Sequence, residues 1–305
     1  MIAALVTARI FPGLMTPFST ILTHPGGAHK DEFLACCVLV ALRPVPILRR
    51  EPSAADLLDP AMCIVDVGQQ HDPAHNNYDH HQLAKDHPPT CSLSLVLREI
   101  GIYEDARQFC EWLEPAEWFD CRGPFATAQW LGVERGVLDK LISPIDITLL
   151  RRFASQSRLS PSEPLWEIMR MVGEDLLEYV KSLRSRLDFL ARHTEIWEFD
   201  LGDGPAQVLF LARTEPLPDE PSSGMERYVE GRGLKDKVVA MIYPDRRGQG
   251  YGLSRFRDSM RLDFTRIASD PQVHFAHARG FVAKTSATSV AELKRLIELA
   301  AVQLD

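Results

Sequence analysis

The chain has 305 residues, 34 Lys+Arg against 42 Asp+Glu for a formal charge of −8, 45% hydrophobic and 25% charged residues. That composition argues against a disordered chain and a small disulfide scaffold, and with no apolar run of bilayer length it argues against a membrane protein. The acidic balance is also a poor match to a protein that grips long duplex nucleic acid by charge alone.

At roughly 100–200 residues per domain, two domains are expected. Met1–Thr20 is apolar, but its one early positive charge is Arg9 and Pro12, Gly13 and Pro17 interrupt it. An N-terminal extension over 1–20 is therefore predicted rather than a signal peptide. Ser19–Thr23 reads as a strand, Asp31–Ala41 as a buried helix, Pro46–Arg49 as a strand and Met62–Val67 as a central strand. Ser92–Gly101 and Glu104–Trp112 read as helices, the second extending toward Trp118. This alternation predicts an α/β domain, a parallel sheet with helices on both faces, over 21–192. Glu163–Arg192 carries apolar residues at helical spacing and closes that domain as a connecting helix.

Beyond it, Glu195–Phe199, Gln207–Leu211, Val238–Tyr243, Gly250–Phe256 and Val273–Val282 read as strands, with helices near Met225–Glu230 and Val290–Val302. A smaller α+β domain over 193–305 follows. Six cysteines, at 36, 37, 63, 91, 110 and 121, form no CxxC pair. They read as small buried hydrophobes in a reducing cytoplasm. Tyr243–Arg266 holds six arginines against three aspartates, a locally basic surface on an acidic chain.

Three stretches place metal-ligand residue types at the ends of predicted strands. They are Thr23–Glu32 (THPGGAHKDE), Val65–Gly68 (VDVG) and Tyr78–Gln82 (YDHHQ), with Asp120 following at the end of a predicted helix. In an α/β sheet the strand carboxyl ends form the ligand crevice, so these stretches can converge there. Asp31 alone would pass for a helix cap, and a lone histidine for a loop residue. Together His24, His29, Asp31, Asp66, His80 and Asp120 exceed the needs of one four-coordinate ion, which points to two ions sharing a carboxylate.

At these residues the sequence resembles the melanocyte-proliferating-gene exonuclease family, formerly an uncharacterised protein family, related to the DHH phosphoesterases. Ser143–Trp166 and His274–Phe281 also look like later segments of that family. The resemblance implies a DHH-type domain, a smaller C-terminal substrate-binding domain, and a dinuclear site in the cleft between them. It implies His24 and His29 on one ion, Asp31 and His80 on the other, Asp66 as bridge and Asp120 as a further ligand. His81 would touch the substrate phosphate, and Asp79 would orient His80. Pro25 and Lys30 stand where the family has Asn and Cys, and Asp120-Cys121-Arg122-Gly123-Pro124 retains one of two usual aspartates.

The chemistry so implied is hydrolysis of a phosphoester by water activated between two divalent ions, Mn²⁺ ahead of Mg²⁺ or Co²⁺. A short single-stranded nucleic acid is the expected substrate, with Arg255, Arg257 and His277 as its contacts and Phe256, Phe275 and Phe281 available for stacking. A phosphohydrolase of small compounds (pyrophosphate, a cyclic dinucleotide or a nucleotide) and an idle binding homologue are the competing readings. Whether the chain forms a homodimer is left open.

Overall fold

The structure is a computed structural model that describes residues 15–202 and 204–302. Met1–Leu14 of the expected extension lie outside the described residues. The chain divides into two compact units, one up to Lys181 and one from Ser182.

The first unit begins β1 (Thr20–Thr23), α1 (Lys30–Leu42), β2 (Ile47–Arg49), α2 (Ala54–Leu58), β3 (Met62–Val65), β4 (His71–Asp72) and β5 (Asn77–Tyr78). It continues with α3 (Ser92–Glu99), α4 (Tyr103–Phe109), α5 (Leu113–Leu131), α6 (Arg135–Lys140), α7 (Pro144–Ala154) and β6 (Arg158–Leu159). The helix α8 (Pro164–His193) starts in this unit and runs past its end.

The sheet order is β4-β5-β3-β1-β2-β6. β1 pairs parallel with β2 and β3, in register Ile21↔Ile47 and Ile21↔Cys63, and β3 pairs parallel with β5. Ile21, Leu22, Ile64 and Val65 have no exposed surface, as a parallel strand covered on both sides requires. The expected parallel sheet is found at its centre, while at both edges β4 and β6 run antiparallel. β4 and β5 are joined by a single tight turn at Pro73–His75, closed by Asn76 in the left-handed conformation, and so short a connection permits only antiparallel pairing.

α1 is apolar nearly all round, because it is buried nearly all round, from Cys36 to Val40 without exposed surface. α8 crosses it at Gly173, where an added Cβ would lie 2.0 Å from the Cys37 carbonyl oxygen. The helix expected from Glu104 toward Trp118 is two helices. α4 stops at Phe109 and α5 is a new helix, broken at Gly123 (φ 74) just before Pro124, which cannot continue the hydrogen-bond ladder. Asp120 accordingly sits inside α5, one turn before the break. α2, α6 and α7 fall in stretches the sequence left unassigned.

The second unit comprises β7 (Thr194–Asp200), β8 (Pro205–Leu211), α9 (Met225–Gly231), β9 (Val238–Pro244), β10 (Tyr251–Arg255), β11 (Val273–Ala276), β12 (Val282–Thr285) and α10 (Val290–Ala300). Its sheet has the order β11-β12-β10-β9-β8-β7. All pairings are antiparallel except β8 with β9, whose connection carries α9. Val208, Ile242, Leu253, Phe264, Leu293 and Leu296 fill its core. The single strand expected over Val273–Val282 is two strands joined by a turn, in which Gly280 adopts φ 67 with the Asp263 carboxylate against its Cα.

No described helix is long and apolar enough to cross a membrane. All six cysteines are free, five of them buried and Cys121 partly exposed.

Candidate metal centre

Because β1, β3 and β5 are parallel neighbours, their carboxyl ends share one edge of the sheet, and residues far apart in sequence meet there. His24 follows β1, Asp66 follows β3, and Asp79, His80 and His81 follow β5. The first turn of α1 brings Asp31 and Glu32, both buried, and α5 brings Asp120. His29 is the N-cap residue of α1 by backbone and makes no side-chain cap bond, so Asp31 does not cap the helix. Asp66 holds φ at 60°, a left-handed conformation that costs an ordinary residue roughly 1–2 kcal/mol and that recurs at functional positions.

Four groups of donor atoms result among the described residues, each within 4.8 Å, and two of them hold the expected ligands and share Asp66. One is Asp31, Asp66, His80 and Asp120; the other is His24, His29, Glu32 and Asp66. His80 Nε2 stands 2.8 Å from Asp120 Oδ2 and 3.1 Å from Asp66 Oδ1. Yet His80 Nε2, Asp120 Oδ2, Asp66 Oδ2 and both Asp31 oxygens are buried without a hydrogen-bond partner among the described residues. Buried donors and carboxylates left unmatched in this way are expensive. Ligand atoms gathered this closely and left without hydrogen-bond partners fit a divalent cation.

The second group is held from behind. His24 Nδ1 donates to the Pro25 carbonyl at 2.8 Å, which directs Nε2 toward Glu32 and Asp66, the latter 3.5 Å away. Arg49, itself buried, donates to Glu32 Oε1 at 3.0 Å and to the carbonyls of Gly26, Gly27 and Phe153. His29 is the most open member, with 63% of its side chain exposed and Nδ1 at 3.9 Å from Asp120. Lys30 turns away and pairs with Asp146 at 3.1 Å.

Asp79 is occupied by His81, not His80. Its Oδ1 lies 2.6 Å from His81 Nδ1, and its Oδ2 accepts from the Gln69 amide at 2.6 Å. The group steadying His80 is Cys121, whose Sγ lies 3.8 Å from His80 Nδ1 and is tied to Thr90 through both its amide and its carbonyl. Ser92 donates to Asp66 Oδ1 at 2.9 Å.

The charges follow this geometry. Burial pushes the Asp31 carboxyl well up, and the neighbouring Asp66 and Asp120 carboxylates push it the same way. Burial alone would lower His80, but Asp120, Asp66 and Cys121 outweigh it and push it up to about 12. Hydrogen bonding to Glu32 raises His24 to about 9. Burial raises Glu32 despite the opposing histidine. For Asp79, burial works upward and the bonds from His81 and Gln69 prevail, so its carboxyl falls below the ordinary range; His81 is raised by the same contact.

Of the residues expected from the sequence, His24, His29, Asp31, Asp66, His80 and Asp120 are brought together, with His81 beside them at 3.9 Å from Asp66. Glu32 and Cys121 were not singled out; their signal was adjacency to Asp31 and Asp120. Arg255, Arg257 and His277 belong to the second unit. Arg255 donates to the carbonyls of Leu262 and Arg279, Arg257 lies beyond β10 and pairs with Glu230, and His277 sits in the β11–β12 turn. Phe256 is buried and cannot stack a base, Phe281 packs on His277, and Phe275 is 45% exposed.

Sequence comparison reaches the same stretch. The family described as "Uncharacterised protein family (UPF0160)", MYG1_exonuc, matches residues 20–94. Over that span the family resemblance stands. The MYG1 exonucleases of Bos taurus, Homo sapiens and Rattus norvegicus are each 44% identical over 73 residues. The alignment covers 23% of this chain and 18% of each relative, so the chain matches less than a fifth of their length. The span contains His24 to His81; Asp120 and the later segments Ser143–Trp166 and His274–Phe281 lie beyond it.

Proposed function

We propose that the chain is a metal-dependent phosphoesterase related to the DHH enzymes, an exonuclease acting on short single-stranded nucleic acid. The observation that carries this reading is the convergence of unpartnered donor atoms from Asp31, Asp66, His80 and Asp120, with Asp66 shared by His24, His29 and Glu32. The MYG1 exonuclease likeness over the same strand ends supports it.

Mixed carboxylate and imidazole donors suit Mn²⁺, with Mg²⁺ or Co²⁺ as substitutes. Bound as a pair, such ions supply Lewis-acid polarisation of a phosphoryl oxygen and a hydroxide nucleophile at neutral pH. Asp66 is the residue able to serve both positions. His80 has to surrender its Nε2 proton to take its place, and Cys121 steadies the ring as it does so. Asp79 holds His81 by Nδ1, which leaves Nε2 free to donate to a phosphate oxygen or to hand a proton to the departing alcohol. The raised proton affinity of His81 favours the donating form near neutral pH.

The test is hydrolysis of a 5′-labelled single-stranded oligonucleotide with Mn²⁺ or with EDTA, beside pyrophosphate and a cyclic dinucleotide, together with the metal content of the purified chain. Mn²⁺-dependent shortening from one end is expected. Bound metal with turnover of the small compounds alone would move the reading to a small-molecule phosphohydrolase. Absence of both metal uptake and turnover would overturn it.

A further inference from the structure

The second unit contains a cavity of about 550 Å³, lined by residues from the β9–β10 loop and from β11 and β12. Its size falls in the range of small-ligand sites. Three features give it the chemistry of a receptor. The first is a β-bulge in β11: Val273 pairs with Thr285 and Phe275 with Lys284, so His274 is the extra residue. In a regular strand His274 and Phe275 would face opposite sides, whereas across the bulge both border the cavity.

The second feature is charge. Lys284 Nζ donates to Asp245 Oδ1 at 2.9 Å, and His274 Nε2 lies 3.9 Å from Asp245 Oδ2, so the one carboxylate in the lining is already matched. Arg247 also lines the cavity, and among the described residues no carboxylate lies within ion-pair distance of its guanidinium. Its exposed guanidinium is open to an incoming anion.

The third feature is rigidity. Arg213 Nη2 donates to the carbonyls of Asp245, Gly248 and Gly250, and the Asp245 amide donates to Gly250 O, so the loop carrying Arg247 is cross-braced. Gly250 sits so close to β12 that a Cβ there would lie 1.8 Å from the Thr285 carbonyl oxygen. Loop and hairpin are thereby fixed against each other before any ligand arrives.

We propose that this cavity binds one nucleotide unit, its base stacked on Phe275 and its phosphate held by Arg247 with Lys284 and His274 at the rim. The ligand is either a free mononucleotide or one unit of a single strand; in the second case the proposal rests on the nuclease reading above. Flat aromatic surface plus an unmatched guanidinium selects a base joined to a phosphate over either part alone.

Calorimetric titration of the full chain in EDTA, where no turnover occurs, tests this with AMP, adenosine, inorganic phosphate and a short single-stranded oligonucleotide. AMP, the oligonucleotide or both should bind, with adenosine and phosphate weaker by about tenfold or more. Phe275→Ala and Arg247→Ala change exposed side chains, so the fold should persist, checked by melting temperature; each should weaken binding by about tenfold or more, as loss of one stacked base does. Dependence seen with AMP alone assigns a free-nucleotide site, and dependence seen with the oligonucleotide assigns a strand subsite. Binding by both variants at wild-type affinity, or no binding of AMP and oligonucleotide at all, overturns the proposal. Because no hydrolysis is read, failure of the nuclease reading would leave this result standing, and the reverse.

Discussion

His80 Nε2 and Asp120 Oδ2 stand 2.8 Å apart, and neither atom has a hydrogen-bond partner among the described residues. Two buried polar atoms at that distance would ordinarily turn to face each other. Here the strand end after β5 and the helix α5 hold them in one cluster with unpartnered oxygens of Asp31 and Asp66, all within 4.8 Å of one another.

The proton on His80 gives the first prediction. With its affinity pushed up to about 12, the imidazole is protonated at neutral pH in the metal-free chain and must lose that proton to ligate. Divalent-metal binding should therefore release protons and tighten as pH rises. Titration calorimetry with Mn²⁺ in buffers of different ionisation enthalpy measures this, and heats that do not vary with buffer would count against His80 as a ligand.

Asp66 and Asp120 should differ in stoichiometry. Asp66→Asn tolerates the left-handed backbone and removes the carboxylate common to both groups, so neither position should retain Mn²⁺ and hydrolysis should fall by orders of magnitude. Asp120→Ala touches the group containing His80 and leaves His24, Glu32 and Asp66 in place. One ion should remain. Equal stoichiometry in the two variants would contradict the shared role of Asp66.

Arg49→Met removes the cationic partner of the buried Glu32 carboxylate and a guanidinium lying 4.5 Å over the Phe153 ring. Breaking one side of a buried pair costs about 3–5 kcal/mol. Chemical denaturation should register a loss of that order, and a change below about 1 kcal/mol, the scale of an exposed pair, would show that the pair is not structural.

Gly173→Ala and Gly136→Ala form a matched comparison of two helical glycines. A Cβ at Gly173 meets the Cys37 carbonyl at 2.0 Å, while one at Gly136 meets nothing within 4 Å. The first substitution should destabilise by about 1–3 kcal/mol through overpacking. The second should be neutral or stabilising by up to about 1 kcal/mol through helix propensity. Similar melting temperatures for the two variants would refute the close crossing of α1 and α8.

Asp245, in the second unit, supplies a further pH dependence. Burial alone would raise its carboxyl, but the Lys284 ammonium and the Arg247 amide hold it below the ordinary range. A carboxyl with a depressed folded value stabilises fully above the unfolded value of about 4 and loses that contribution as pH falls through the folded value. The stability gap between the wild-type chain and Asp245→Asn should be full at neutral pH and close as the medium is acidified below about 4. Urea denaturation across that range gives the gap directly; a constant gap would show no linkage.

Local pattern made much of this molecule legible. Helical periodicity placed the long helix α8, observed over Pro164–His193, and apolar runs bounded by turn residues placed β1, β3, β8 and β9 to within two residues. Residue chemistry at the strand ends marked His24, Asp31, Asp66 and His80 before any contact was visible. These are short-range properties, carried by neighbours along the chain. The antiparallel edge strands, the separation of β11 from β12 and the break at Gly123 were not legible, because each depends on a glycine, proline or turn conformation that only packing selects. The same holds for Glu32 against His24, for Cys121 rather than Asp79 behind His80, and for the bulge that turns His274 and Phe275 to one side. Side-chain convergence is set by strand register and helix docking, which sum contacts over the whole unit, so the donor types were written in the sequence while their partners were decided by the tertiary structure.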